Sequence, residues 1–340
     1  MMAINRRALL ASAVLLAAVP ARAGNAIDES LFVSAGGIDQ WINIKGTDVR
    51  NPVLLVVHGG PGEAQWPVTE KYDAWRDAFT VVLWDQRGAG HTYGRYGAKT
   101  PNMTLEQFAR DGVDVANHLC RALGKRKIIL LGHSWGSIVG VRMAQLNPEL
   151  FAAYVGTGQV ESWSASVNAQ FDLLLAKARQ DNDQDSIKAF AAIGRPDPAD
   201  AKQYFGFTRN LRSVMAPSDR DWIASLRAKI PTWEKADPKN FADFRDGFDF
   251  SAEAVLPDQM KTNLPATAAK LDTAVFVIQG RDDAITPTAA AVDYFNKIQA
   301  PEKALVLIPD AGHFAFMTAP AAFLDALTQT VRPVAIRRGA

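Results

Sequence analysis

The stretch IILLGHSWGS, at residues 128–137, decides the fold class. Its first four residues form the continuous apolar run of a buried strand, and a helical pattern follows the second glycine. A serine between a strand and a helix must sit on a tight turn, and Gly132 and Gly136 allow that turn to lie against neighbouring backbone. We therefore expect Ser134 to project from the carboxyl end of a strand, facing the free N–H groups of a helix that begins near Trp135.

Other short apolar runs repeat along the chain, each followed by turn residues. They lie at residues 53–57, 81–84, 152–155, 275–278 and 305–308. Such runs alternate with helical patterns, which predicts an α/β fold with a mostly parallel central sheet flanked by helices.

Three local patterns define other elements of the chain. Residues 31–34 and 40–45 flank a Gly-Gly pair and predict an antiparallel hairpin at the start. Thr104 and Gln107 predict a capping box on a helix that runs to about residue 123. A last helix is expected over about 319–331.

The domain organisation follows from a break in this alternation. Residues 159–268 have helical periodicity, several tryptophans and no clear strand. We interpret them as a helical cap inserted over the carboxyl ends of the strands. The α/β core is then made of residues 24–158 and 269–340.

The N-terminus has the pattern of a secretory signal peptide at residues 1–23. Arg6-Arg7 precede an apolar run at residues 8–19, and an A-x-A sequence ends at Ala23. The run is too short to cross a bilayer, which needs roughly twenty residues. We expect cleavage after Ala23 and export to the periplasm or the exterior, and the paired arginines resemble a twin-arginine signal. No later segment has the length and apolar character of a membrane span.

Composition argues against several kinds of partner. The 340 residues include 37 lysines and arginines and 36 aspartates and glutamates, so no basic surface favours nucleic-acid binding. The single cysteine, Cys120, rules out an internal disulfide and a cysteine-rich metal site.

Ser134 requires a general base, and the base requires an orienting acid, because a serine hydroxyl is a poor nucleophile at neutral pH. His313 is the favoured base, since it follows the last strand on a loop where catalytic groups collect in open α/β sheets. Asp283 is the favoured acid. Asp282 is the next candidate and Glu161 the third. The chain order serine, aspartate, histidine is typical of this architecture.

An oxyanion hole is predicted from the sequence HGGPG at residues 58–62, directly after an apolar run. Glycines let backbone N–H groups approach a substrate oxygen, and the N–H groups of Gly60 and Trp135 are the best donors. The loop lacks the Gly-Lys-Ser/Thr and G-x-G-x-x-G patterns of phosphate-binding loops. DQRG at residues 85–88 is interpreted as a structural turn held by ion pairs.

Five motifs in this order resemble an α/β-hydrolase of the proline iminopeptidase type: HGGPG at 58–62, DQRGAG at 85–90, GHSWGS at 132–137, GRDD at 280–283, and Gly312-His313. The resemblance covers nearly the whole mature chain. It implies a catalytic triad of Ser134, Asp283 and His313, a helical cap, and neither metal nor cofactor. It also implies hydrolysis of a small amide or ester, such as a short peptide, through a covalent acyl-enzyme.

The chain departs from this family where the substrate's free amino end is bound. Proline iminopeptidases use cap glutamates there, and Trp233-Glu234 resembles one such pair, which makes Glu234 a candidate substrate-binding residue. The second glutamate segment has no counterpart, since residues 260–263 read MKTN. Two alternatives therefore remain: a carboxylesterase without peptidase activity, and a non-catalytic ligand-binding receptor on the same scaffold.

Overall fold

The computed structural model describes residues 25–340 and contains one eight-stranded sheet. The strands lie in the order β1-β2-β4-β3-β5-β6-β7-β8; β1 and β2 form an antiparallel hairpin, β2 pairs antiparallel with β4, and all other pairings are parallel. Their bounds are β1 Ile27–Ala35, β2 Ile38–Gly46, β3 Val53–Val57, β4 Thr80–Asp85, β5 Ile128–His133, β6 Phe151–Thr157, β7 Ala274–Gly280 and β8 Lys303–Ile308.

Helices cover both faces of the sheet. Their bounds are α1 Gly90–Tyr96, α2 Leu105–Leu123, α3 Trp135–Leu146, α4 Trp163–Gln180, α5 Gln184–Ile193, α6 Ala201–Thr208, α7 Pro217–Ala236, α8 Pro238–Met260, α9 Leu264–Thr267, α10 Thr288–Lys297, α11 Ala315–Thr318, α12 Pro320–Ala326 and α13 Arg332–Arg337. Among residues 25–340, none of these helices combines the length and the apolar character that a membrane crossing needs.

Helices α4 to α9 all lie between β6 and β7, within the segment predicted to be a cap. An isolated bridge between Ser162 and Asn263 joins the two ends of this segment. The segment also has a small apolar core of its own, which includes Phe171, Phe190 and Phe207. The larger apolar clusters lie on the two faces of the sheet. The predicted signal peptide at residues 1–23 lies outside the described residues.

The mostly parallel sheet and the opening hairpin are confirmed, but the predicted capping box is wrong. The Thr104 hydroxyl accepts from the Gln107 N–H, yet the Gln107 side chain donates to Asp111 instead of completing a capping box. A last helix is present where it was predicted over about 319–331: it begins at Pro320, includes a π-helical turn over Leu327–Val331, and continues through α13 to Arg337. Pro320 suits the start of this helix, because proline has no N–H for a helical hydrogen bond.

The DQRG turn after β4 is held by a fully buried ion pair. The Arg87 guanidinium lies 2.5 and 2.9 Å from the two carboxylate oxygens of Asp111 on α2, and it also donates to the carbonyl oxygens of Gly36 and Pro101. A buried pair of this kind survives only when its remaining donors are satisfied. Arg87 therefore braces the loop beside the sheet edge, as the structural interpretation of this turn predicts.

Candidate active site

Ser134 occupies the junction between β5 and α3 in a backbone conformation with φ 54° and ψ −119°. This positive φ is unfavourable for a residue with a side chain. It is held by hydrogen bonds on both sides: the Ser134 N–H donates to Thr157 O over 3.0 Å, and Ser134 O accepts from the Ser137 N–H over 2.8 Å. The turn thus displays the serine at the carboxyl edge of the sheet.

The two glycines that flank Ser134 permit close backbone approach. A Cβ atom on Gly136 would lie 2.0 Å from the carbonyl oxygen of Val57 on β3. A Cβ on Gly132 would lie 2.4 Å from the carbonyl oxygen of Gly136. No real Cβ contact is that short, so both positions require glycine in this geometry.

His313 is anchored to Asp283 through its Nδ1 atom. This nitrogen lies 3.0 Å from Oδ2 and 3.2 Å from Oδ1 of the Asp283 carboxylate, and both side chains are buried. The N–H groups of Ile285 and Thr286 and the side chains of Gln279 and Thr286 also donate to this carboxylate. The acid is therefore fixed in place, and Nδ1 of His313 is occupied, which leaves Nε2 free.

His313 also lies beside the strand end that carries Ser134. Its ring centroid is 4.7 Å from that of His133, the residue before the serine. The His133 Nε2–H donates to the backbone carbonyl oxygen of His313 over 3.1 Å. A Cβ on Gly158, next to the residue that binds the Ser134 N–H, would lie 2.8 Å from His313 Cε1. The fold thus gathers the predicted nucleophile, base and acid at one edge of the sheet.

The alternative acids are placed elsewhere. Asp282 is exposed, although it is adjacent to Asp283. Glu161 forms an ion pair with Lys297 at 3.4 Å. Asp283 is therefore the carboxylate in contact with His313.

Charged neighbours determine the protonation of the two histidines. Burial lowers the pKa of His313, but the charge and hydrogen bonds of Asp283, together with the charges of Asp219 and Glu63, outweigh this effect and raise it above its usual value. Burial and the nearby His313 hold the pKa of His133 well below its usual value. His133 is consequently neutral, with its proton on Nε2.

The predicted oxyanion donors lie at the wall of one cavity. Gly60, Ser134 and Trp135 line it together with side chains of the segment between β6 and β7, and its volume is about 250 Å³. The HGGPG loop is braced from behind, because His58 Nε2 accepts from the Gln86 N–H and the Gln86 side chain donates to His58 O. Among the described residues, no cluster of three or more His, Cys, Asp or Glu side chains is arranged to hold a metal ion.

Residues 52–320 match the family model described as the alpha/beta hydrolase fold. The chain belongs to the α/β-hydrolase family. This family assignment agrees with the mostly parallel sheet and with the strand-to-helix junction at Ser134.

Known proteins similar to this α/β-hydrolase include aminopeptidases. It is 28% identical to the probable aminopeptidase YbaC of Bacillus subtilis over 328 residues, which cover 92% of this chain and 99% of that protein. It is 32% identical to a probable proline iminopeptidase of Streptomyces coelicolor over 203 residues, 57% of this chain and 59% of that one. The proline iminopeptidase structure from Mycobacterium smegmatis superposes with a TM-score of 0.61 at 21% identity, covering 91% of this chain and 99% of that chain.

Sequence reasoning missed Asp219, which lies in the first turn of α7 and is buried against the loop of the predicted base. Its carboxylate accepts from the backbone N–H of His313 over 2.6 Å and from that of Phe314 over 3.1 Å. A helix from the segment between β6 and β7 thus fixes the backbone of a residue in the α/β core. The only sequence signal was an acidic residue two positions after a helix-starting proline.

Glu63 was also missed, although it directly follows the predicted oxyanion loop. It lines a second cavity, which it shares with Trp233 of α7. The predicted substrate-binding residue Glu234 is exposed and lines neither this cavity nor the one at Ser134. Its role in substrate binding stays a prediction.

We expect Gly136→Ala to destabilise the fold by about 1–3 kcal/mol or more, because the new methyl group would overlap the backbone of β3. Gly206→Ala is the matched control, since a Cβ there meets nothing within 4 Å. In the α6 helix that change should stabilise the protein by about 0.5–1 kcal/mol. Urea unfolding gives both values, and equal effects at the two sites would contradict the close approach.

We expect Asp219→Ala to lower the free energy of unfolding by about 1–3 kcal/mol, because it leaves two backbone N–H groups without an acceptor. Asp221→Ala removes an exposed carboxylate from the same helix and should change stability by less than about 0.5 kcal/mol. Urea unfolding of the two variants makes the comparison. Identical midpoints and slopes would contradict the buried contact.

Proposed function

We propose that this α/β-hydrolase is a serine hydrolase that cleaves a small amide or ester through an acyl-enzyme on Ser134. The observation that carries the proposal is the contact between His313 Nδ1 and the Asp283 carboxylate, beside the strand end that displays Ser134. With Nδ1 engaged, Nε2 is the nitrogen that can accept the proton of the Ser134 hydroxyl.

The reaction would proceed in two stages. Ser134 Oγ attacks the substrate carbonyl carbon while its proton passes to His313 Nε2, and the N–H groups of Gly60 and Trp135 bind the oxyanion. Collapse of this intermediate breaks the bond to the leaving group, which takes the proton from His313. Water then attacks the acyl-enzyme, gives a proton to His313, and the proton returns to Ser134 as the acid product leaves.

The proposed substrate is the N-terminal residue of a short peptide or a related small amide. Its support is the similarity to a probable aminopeptidase over 92% of this chain. A carboxylesterase without peptidase activity is the second candidate, and the exposed position of Glu234 favours it, because the predicted amine anchor is absent from both cavities. We also propose that residues 1–23 are a signal peptide and that the mature protein is exported.

We expect a fluorophosphonate probe to label the wild-type protein on Ser134 and to leave Ser134→Ala unlabelled. Ser134→Ala should also lower hydrolysis by roughly a thousandfold or more, because it removes the nucleophile. Mass spectrometry of the labelled peptide and a screen of aminoacyl-arylamides and short aryl esters give the two readouts. Ser137→Ala would be a poor control, since its hydroxyl donates to Ser134 O, so Ser186→Ala on α5 is used instead.

Each result of that experiment separates two functions. Hydrolysis of the arylamides supports the aminopeptidase, whereas turnover of esters alone supports the carboxylesterase. Absence of any adduct on Ser134 would favour a non-catalytic receptor and overturn the proposal.

We expect the kcat/KM for an uncharged aryl ester to fall at low pH, with an apparent pKa higher than that of an ordinary histidine. The base must be neutral to accept a proton, and the charges of Asp283, Asp219 and Glu63 raise the pKa of His313, whereas His133 beside it stays neutral. Activity is therefore lost as the pH drops through this raised pKa. A stopped-flow or plate assay over pH 5–9 measures the profile.

The acid is tested in the same assay. Asp283→Asn should lower kcat by about ten-thousandfold, because an amide cannot hold the imidazole in the required tautomer. Asp282→Asn changes an exposed residue one position away, and it should leave both kcat and the loss of activity at low pH unchanged. The reverse pattern would assign the acid to Asp282.

A further inference from the structure

A second cavity is lined in part by residues that directly follow the HGGPG loop, and it shares no lining residue with the cavity at Ser134. We call it the Glu63 cavity; its volume is about 260 Å³. Its walls are mainly apolar, and they include five aromatic side chains from α7, α8, α11 and the loop after β8: Trp222, Trp233, Phe244, Phe314 and Phe316. An apolar cleft of this size fits one amino-acid side chain or a small organic group.

Glu63 is the acidic group of this cavity, and its carboxylate has no hydrogen bond or ion pair among the described residues. By contrast, Glu70 on the following segment pairs with Lys229 at 3.3 Å. Burial raises the pKa of Glu63 to about 7, against the opposing charge of His313. An unpaired carboxylate in apolar surroundings is costly unless a cation joins it.

The cavity adjoins the proposed catalytic groups. The Glu63 N–H donates to Gly59 O over 3.2 Å, and a Cβ on Gly60 would lie 3.3 Å from Glu63 Cβ. Phe314, which lines the cavity, directly follows His313 in the chain. A substrate with its carbonyl at Gly60 could therefore extend a neighbouring group toward Glu63.

We propose that the Glu63 cavity is a substrate subsite for a protonated amine attached to an apolar group, with Glu63 as the partner of the ammonium. The inference rests on the proposed hydrolase function and specifies its substrate. The carboxylate would supply charge pairing, and the aromatic walls would hold the apolar part and offer ring faces that attract a cation. An aminoacyl substrate with an apolar side chain combines these features.

Among the residues that line this cavity, the charged group besides Glu63 is basic, and Asp219, next to the lining residue Phe314, already accepts two backbone N–H groups. Arg227 is exposed where it borders the cavity. Lys71 lies 5.1 Å above the Trp222 ring and Lys229 lies 5.9 Å above the Trp233 ring. These ammonium groups stand against the rings of the walls, which leaves Glu63 as the acid available to a bound cation.

The test compares two aryl esters that share an acyl skeleton and a leaving group: the ester of leucine and that of 4-methylpentanoic acid, which lacks the amine. We expect wild-type protein to prefer the leucine ester by about tenfold or more in kcat/KM, mostly through KM. Glu63→Gln should bring that ratio close to one by weakening the leucine ester alone. Glu70→Gln, an exposed acid nearby, should keep the wild-type ratio.

Different results of this test would contradict different parts of the proposal. Equal loss of both esters in Glu63→Gln would mean that Glu63 only shapes the oxyanion loop. A ratio unchanged in Glu63→Gln but abolished in Glu234→Gln would assign the ammonium to Glu234. Both results overturn the inference and leave the serine hydrolase intact. A wild type that hydrolyses neither ester and takes no fluorophosphonate overturns the proposed function and the inference together.

A second measurement needs no variant. Isoamylamine should inhibit wild-type hydrolysis of the 4-methylpentanoate ester more strongly than isoamyl alcohol, by about tenfold at pH 8. Its advantage should shrink as the pH falls below about 7, because Glu63 takes up a proton there and loses its charge. His313 also gains charge as the pH falls, so the same titration in Glu63→Gln must show a smaller change. Equal inhibition by amine and alcohol at pH 8 would overturn the inference.

Discussion

The left-handed backbone of Ser134 is the constraint on which the site depends. A residue with a side chain adopts φ 54° only where interactions with its surroundings outweigh the free-energy cost of that backbone conformation. Here the fixing groups come from strands β3 and β6: the carbonyl of Val57 excludes any side chain at Gly136, and Thr157 accepts the Ser134 N–H. The central strands therefore hold the turn, and the rest of the site is arranged around it.

The segment between β6 and β7 also positions a residue of the candidate active site. Asp219 of α7 accepts two backbone N–H groups at His313 and Phe314, so the position of that helix and the position of the base are linked. The same helix provides Trp222 and Trp233 to the Glu63 cavity. A shift of α7 would thus change the shape of the cavity and the placement of the imidazole together.

Sequence patterns predicted the parts of the fold that are repeated or tightly constrained. The parallel strands, the hairpin and the turn at Ser134 each have a recognisable local sequence pattern, because apolar runs and glycines are required there. The pairing of Asp283 rather than Asp282 with His313 is decided in three dimensions, where one side chain turns inward and the other outward. Asp219 could not be found this way, since its partners are backbone groups 94 and 95 residues away.

The resemblance to proline iminopeptidases predicts Glu234 as the residue that binds the substrate ammonium. The surroundings of each acid favour Glu63 for this role instead. Asp283 accepts from several donors, Asp219 from two N–H groups, and Asp111 from Arg87. Each of these carboxylates is satisfied inside the folded chain. Glu63 borders an apolar cavity and has no such partner among residues 25–340, whereas Glu234 is exposed at the surface. A half-buried charge that the protein itself does not neutralise is the one that a bound cation would stabilise most, because there the desolvation cost is still uncompensated.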